Sequence, residues 1–310
     1  MKLFIIIVQI LIVPIASPLG IGIVKKIKAT LQNRRGAGVF QPYKDIWKLL
    51  NKDEVISADA SWIFKFAPYI VFSVSLAAGA FIPIIASFPH YAMQGDMLVV
   101  VYTLAIGTFF LALAGMDTGS AFGGFGSSRE MTLSALAEGG FVFSLLTLAL
   151  ICKTTNLFDV STTIMSGYSK SFLPILLAFS GFFIVLLSET TRFPFDNPST
   201  HLELTMIHEA MIVEYSGKRL ALMEWASANK LLIFVALGAN LFFPWGIARQ
   251  ATIPAALAGL LAFGTKSLVF YASIAVLESS TAKFRFFRLP DLLLISFILN
   301  VIAIGLVRFI

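Results

Sequence analysis

The sequence predicts an all-α integral membrane protein: about eight transmembrane helices in a single polytopic domain over residues 1–310, with long cytoplasmic loops that carry short amphipathic helices. Three observations predict it. Of the 310 residues 58% are hydrophobic and 13% charged, where a soluble domain carries roughly 25% charged residues. Apolar runs near the ~20 residues that cross a bilayer recur along the whole chain. Lysine and arginine alternate between successive connecting loops.

The runs lie at roughly 3–23, 66–88, 97–116, 132–151, 172–189, 230–248, 254–277 and 291–309. The first is followed by Lys25, Lys26 and Lys28, a stop-transfer pattern, and lacks a small-residue cleavage motif, so it reads as a retained helix and not a signal peptide. After spans one, three, five and seven, Lys plus Arg number 9, 1, 4 and 3; after spans two, four and six they number 0, 2 and 1. The positive-inside rule places the odd loops in the cytoplasm and both termini outside. The net charge of +6 is therefore a topology signal, and no basic domain remains to bind nucleic acid. No repeat at a fixed period and no inverted pair of halves is present, which counts against the common transporter folds.

Loop one contains QPYKDIWKLLNKD. Tyr43, Ile46, Trp47 and Leu50 follow i, i+3, i+4, i+7, with Lys44, Asp45, Lys48 and Lys52 opposite. That is an amphipathic helix starting near Pro42, lying on the membrane surface or on a protein partner. The glycine-rich GGFGSSRE at 123–130 reads as a tight turn with close backbone packing; it lacks the P-loop lysine, so no nucleotide is expected there.

Ionisable residues inside spans are costly and face protein or water. Glu138 in span four and Lys266 in span seven are two such residues, and Glu278 sits at the cytoplasmic end of span seven. Glu138 and Lys266 read as parts of a proton relay or gated water path, or as an ion pair that fixes packing; Glu278 is a relay member or a solvated helix end. Arg129, nine residues before Glu138, is expected to point back toward the cytoplasmic loops.

Loop five is acidic: residues 189–217 hold Glu189, Asp196, Glu203, Glu209 and Glu214 against Arg192, a local net charge of −4 with histidines neutral. A helix is expected over about 200–215, with Glu203, Ile207, Ala210 and Glu214 on one face and His201 and His208 on another. Clustered carboxylates raise one another's proton affinity and can pass protons on; a solvated acidic face docking on a basic partner is the alternative. His208-Glu209 lacks the second histidine of a zincin HExxH motif, and the single Cys152 forms no intrachain disulfide, zinc site or iron–sulfur site. No metal site and no catalytic residues are expected, so any redox centre belongs to another chain.

Four separated blocks carry a resemblance that spans essentially the whole sequence. ETTRFPFD (189–196), NRRGAGVFQPYKDIWKLL (33–50), KFRFFRLPD (283–291) and the Arg129–Glu138 spacing resemble the quinone-chamber membrane subunit of respiratory complex I, its H subunit. AGMDTGSAFGGFGSSRE, DNPSTHLELTMIHEAMIVEYSG and FFPWGIA are similar to one branch of it, the membrane subunit of group 4 energy-converting [NiFe] hydrogenases, of the hydrogenase-4 component C and formate hydrogenlyase subunit 4 type.

The resemblance implies a non-catalytic anchor and coupling subunit in a prokaryotic cytoplasmic membrane. It would join hydrogenase large and small subunits and iron–sulfur subunits to antiporter-like membrane subunits, with nickel–iron and iron–sulfur centres held by those partners. It implies a carboxylate path of Glu138, Glu189, Asp196, Glu203 and Glu214, extended by Lys266 and Glu278, with Arg129 and Arg192 as charge partners. Arg34, Arg35, Gln41, Asp45, His201, His208, Glu209, Lys283 and Arg285 would face the hydrophilic arm. The chain departs from the complex I pattern at Ser199 and His201, in extra residues before Glu214 that include His208 and Glu209, and in a shorter stretch between Gly36 and Gln41. These departures lie where that relative shapes its quinone chamber and count against a bound quinone. The competing readings are a quinone-binding subunit of a respiratory dehydrogenase and a free-standing secondary transporter.

Overall fold

The structure, a computed structural model, describes residues 2–57, 59–88, 95–167, 171–196, 206–282 and 284–308. In chain order its α-helices are α1 (Lys2–Leu31), α2 (Gln41–Leu50), α3 (Trp62–Ala80), α4 (Met97–Asp117), α5 (Ala121–Cys152), α6 (Leu157–Gly167), α7 (Phe172–Glu189), α8 (His208–Ile212), α9 (Gly217–Leu237), α10 (Ile253–Ser280) and α11 (Leu289–Val307). Eight of these, all but α2, α6 and α8, form helices long and apolar enough to cross a membrane. The chain is a multi-pass membrane protein. Eight crossings place α2 and α8 on one face and α6 on the other.

Local chemistry explains the helix ends and their irregularities. Ser61 and Asp96 cap α3 and α4, each side-chain oxygen accepting the N–H two residues on. Pro18 lies inside α1 and cannot donate to the Pro14 carbonyl; the Trp225 indole of α9 takes that carbonyl instead, at 2.8 Å. α9 runs through the middle of the bundle, with Asn229 and residues 231–242 buried. It ends in a π-helical turn, Gly238–Phe242. α5, α7 and α11 pack on one another at one side, and α1 and α10 at the other.

Five expectations need correction. The span expected at 132–151 begins at Ala121, so GGFGSSRE is helix, not turn. The close packing expected there holds at Gly123, where an added Cβ would overlap the Gly115 carbonyl of α4. The span expected at 230–248 begins at Gly217, because Arg219 and Lys230 find carboxylates on neighbouring elements. The span expected at 66–88 ends at Ala80. Residues 81–88 are non-helical yet mostly buried, which membrane depth tolerates only where protein satisfies the backbone. Gln9 does so, donating to the Ile82 carbonyl at 2.9 Å and accepting from the Ile85 and Ala86 N–H groups at 3.2 Å. The helix expected over 200–215 is helical only at His208–Ile212 among the described residues. Finally, α6 is a helix in the connection between the spans expected at 132–151 and 172–189, where no helix is expected.

Candidate functional site

The charged residues that the sequence scatters over four elements converge between α4, α5, α7 and α9. Glu189 ends α7, and its carboxylate pairs with Lys230 of α9 at 2.8 Å. The Lys230 ammonium also reaches the Thr108 hydroxyl of α4 at 3.3 Å. Glu130 of α5, only 6% exposed, lines the same cavity of about 50 Å³, together with Ser75 and His208. A second cavity of about 20 Å³ adjoins it, lined by Glu138, Ser134 and Phe141. Glu189 and Thr108 line both. One water needs roughly 10–15 Å³ on this measure, so the first cavity has room for a few waters and the second for one. Three carboxylates on α5 and α7 thus line two adjoining water-sized cavities beside one lysine.

Asp196 closes the end of this region on the face that carries α2 and α8. It is 2% exposed and accepts the backbone N–H groups of Ile207 and His208, both at 3.1 Å. Arg129 holds the same segment, donating to the Met206 carbonyl at 3.1 Å while its guanidinium lies over Phe125 and Phe286. It therefore points toward the loops, as expected.

Burial pushes the His208 imidazole down to about 4; Lys230 adds to this and Asp196 opposes it. The folded protein holds this ring neutral, so its stabilising effect is full above about pH 6.5 and is lost as pH falls toward 4. Burial pushes the Glu209 carboxyl up to about 7, with Glu224 and Asp196 reinforcing the shift and Lys25 opposing it. That effect has the opposite sign, full below about pH 4.5 and lost as pH rises through 7.

A second cluster stands beside the first. Glu278 of α10 accepts from Lys28 of α1 at 3.1 Å and from Arg192 at 3.2 Å, with its side chain 2% exposed. It is a buried clamp between α1, α10 and the turn after α7, and not a solvated helix end. The Lys28 ammonium also sits 4.8 Å from the Phe193 ring centre.

The structure separates other expected members from this centre. Lys266 makes no ion pair with Glu138. Its ammonium donates to Asn240 Oδ1 at 2.6 Å and to the Phe243 and Trp245 carbonyls at 3.0 and 3.1 Å. Glu214 is exposed. Arg34, Arg35, Asp45 and Arg285 are exposed on the face that carries α2 and α8, and Gln41 donates to Asp45 at 2.8 Å. His208 lines the cavity and does not stand on that outer face, and Glu209 is partly buried. His201, Glu203 and Lys283 lie outside the described residues. No group of three His, Cys, Asp or Glu among the described residues is placed to hold a metal.

Glu130 and Lys230 are functional candidates that sequence reasoning missed. A signal existed for the first: Glu130, Ser134 and Glu138 fall at i, i+4, i+8, visible once the helix extends back to Ala121.

Comparison with known proteins agrees with this architecture. The sequence profile of the NADH dehydrogenase family matches residues 2–308. Hydrogenase-4 component C of Escherichia coli is 32% identical over 295 residues, covering 95% of this chain and 92% of the relative. Formate hydrogenlyase subunit 4 of the same organism is 32% identical over 278 residues and covers 90% of each. The H subunit of the NADH-quinone oxidoreductase of Paraburkholderia phymatum is 29% identical over 221 residues, 68% of this chain and 62% of that one. Among solved structures, a chain of the membrane-bound sulfane sulfur reductase, an archaeal respiratory membrane complex, superposes with a TM-score of 0.83 over 98% of this chain and 99% of that one, at 20% identity, and shares the fold. The chain belongs to the NADH dehydrogenase family, in the branch of hydrogenase-4 component C and formate hydrogenlyase subunit 4, related to the H subunit of NADH-quinone oxidoreductase.

Proposed function

We propose that this chain is the membrane anchor and coupling subunit of a membrane-bound, formate hydrogenlyase-like [NiFe] hydrogenase complex in a prokaryotic cytoplasmic membrane. The face carrying α2 and α8 is cytoplasmic, and both termini lie outside. That face meets the hydrogenase large and small subunits and their iron–sulfur partners, which hold the redox centres; the lateral faces of the spans meet antiporter-like subunits and lipid. The single observation that carries coupling, beyond anchoring, is the pair of adjoining cavities lined by Glu130, Glu138 and Glu189 with Lys230. Buried carboxylates at membrane depth are costly and are kept where protons or ions move. In this reading redox events in the hydrophilic arm act on the Asp196–His208 segment, and the carboxylates respond by changing protonation.

The test is a mild-detergent pull-down of the tagged chain from its native membrane with mass spectrometry of its partners. Recovery of a large subunit with two CxxC nickel-binding motifs, iron–sulfur proteins and antiporter-like subunits is expected. Recovery of the chain alone would overturn the assignment.

One observation favours a second reading, a quinone-binding subunit of a complex I-like NADH:quinone oxidoreductase. An apolar cleft of about 460 Å³ lies under α2, lined by Pro18, Tyr43, Ile46, Trp47, Leu50 and Trp225. NADH dehydrogenase subunits in the pull-down, with a quinone analogue labelling this cleft, would support it.

A further inference from the structure

α1 and α10 are parallel neighbours that close at one end and part at the other. At the closed end Lys28 pairs with Glu278. The Tyr271 hydroxyl lies so near Gly20 that an added Cβ would meet it at 2.5 Å. Below that closure the helices separate into a groove of about 380 Å³, open sideways. Its walls are apolar except for Thr265, Ser267 and Tyr271. Ser267 and Tyr271 are buried, 5% and 4% exposed, and their hydroxyl oxygens lie beneath the groove surface.

The dimensions match one leaflet of a bilayer. On α1 the lining residues Ile12, Ala16, Leu19 and Ile23 follow i, i+4, i+7, i+11. Their span along the axis is about 16 Å at 1.5 Å per residue, close to half of a ~30 Å hydrocarbon core. Lys26 continues the stripe one turn above Ile23; it is exposed and makes no ion pair among the described residues. The rise from Gly20, which Tyr271 covers, to Lys26 is about 9 Å. A cation therefore stands above an apolar trough.

We propose that the α1–α10 groove is a binding site for an anionic glycerophospholipid. One acyl chain fills the groove and the phosphate meets Lys26. The charge above the trough argues for a phospholipid over an uncharged isoprenoid. The site lies on the far side of α1 from the cleft under α2, and the proposal does not depend on the hydrogenase reading.

Gly264 provides a clean test. It lines the groove, and a Cβ added there meets nothing within 4 Å. Leucine also favours helix over glycine, so Gly264→Leu fills the trough without unfolding the chain. Gly305→Leu, equally free of neighbours but on α11, is the control. The full-length chain would be taken from vesicles of phosphatidylglycerol and phosphatidylcholine, exchanged into mild detergent, and its retained lipid counted by native mass spectrometry. The wild-type chain and Gly305→Leu should retain one phosphatidylglycerol, Gly264→Leu should retain about tenfold less, and Lys26→Gln should lose the preference over phosphatidylcholine. Equal retention by Gly264→Leu and wild type overturns the site, as does a wild-type chain that retains no phospholipid. An isoprenoid quinone extracted from native membranes and displaced by Gly264→Leu overturns the lipid assignment.

Discussion

Lys230→Met is the sharpest perturbation of the charge cluster. Methionine keeps the length and apolar stem of lysine and removes the only lysine or arginine that lines the larger cavity among the described residues. Glu189, 2.8 Å from the ammonium, and Glu130, 6% exposed, then share a small enclosed space without a cation. Removing one partner of a buried pair costs about 3–5 kcal/mol, because the other charge is left uncompensated. The side chains of Lys230 and Glu189 remain 20% and 11% exposed, so the lower end, about 3 kcal/mol, is expected. At about 2–4 °C per kcal/mol that lowers the melting temperature by about 6–12 °C.

Replacing both partners is far less costly than replacing one. Lys230→Met combined with Glu189→Gln should recover most of the loss, giving a coupling energy of about 2 kcal/mol. The assay is thermal unfolding of the detergent-purified chain, followed by intrinsic tryptophan fluorescence, in a double-mutant cycle. Strictly additive losses would refute the reasoning, since they would mean that the two charges do not depend on each other.

Other expected outcomes are read on the complex in sealed membrane vesicles for coupling and on the detergent-purified chain for stability. Glu138→Gln should leave the complex assembled but cut ion-coupled activity by about a hundredfold; normal coupling in a well-assembled variant removes Glu138 from the path. Lys266→Met should lower thermal stability by about 3 kcal/mol, by leaving the Asn240, Phe243 and Trp245 oxygens unpaired, without changing coupling; a coupling defect at normal stability would return Lys266 to the path. Relative to wild type, His208→Gln should make stability rise more on acidification from pH 7 to 5 and Glu209→Gln should make it rise less, each by at most about 3 kcal/mol. Melting curves that shift in parallel with pH for wild type and both variants would contradict the two burial-driven shifts.

The eight spans are legible because length and apolarity are local properties. The errors share one physical cause. A hydropathy window scores a charge as though it faced water, and it cannot see the partner that another element supplies. Lys230 therefore counts with the loop before its span, although Glu189 and Thr108 hold it inside the bundle. Glu130 reads as part of a turn, because three glycines and two serines precede it at 123–128. Gly123 and Gly126 lie where α5 approaches the Gly115 carbonyl and the Ile207 carbonyl, a tertiary reason that no propensity contains. Likewise 81–88 leaves the helical path at membrane depth only because Gln9 and Asn240 receive its backbone.

The turn after α7 ties the two charge clusters together. Glu189 faces Glu130 and Lys230, a trio with formal net charge −1, and Arg192 faces Lys28 and Glu278, a trio with net charge +1. Only Thr190 and Thr191 separate them, and the backbone is pinned there: Thr191 has a positive φ of 50°, and the Arg192 N–H donates to the Leu187 carbonyl at 2.8 Å. Three residues of chain keep the Glu189 and Arg192 backbones within about 10 Å of each other. A segment that reads as an acidic loop in the sequence is, in three dimensions, the turn that joins the charged cavities between α5, α7 and α9 to the Lys28–Arg192–Glu278 clamp between α1 and α10.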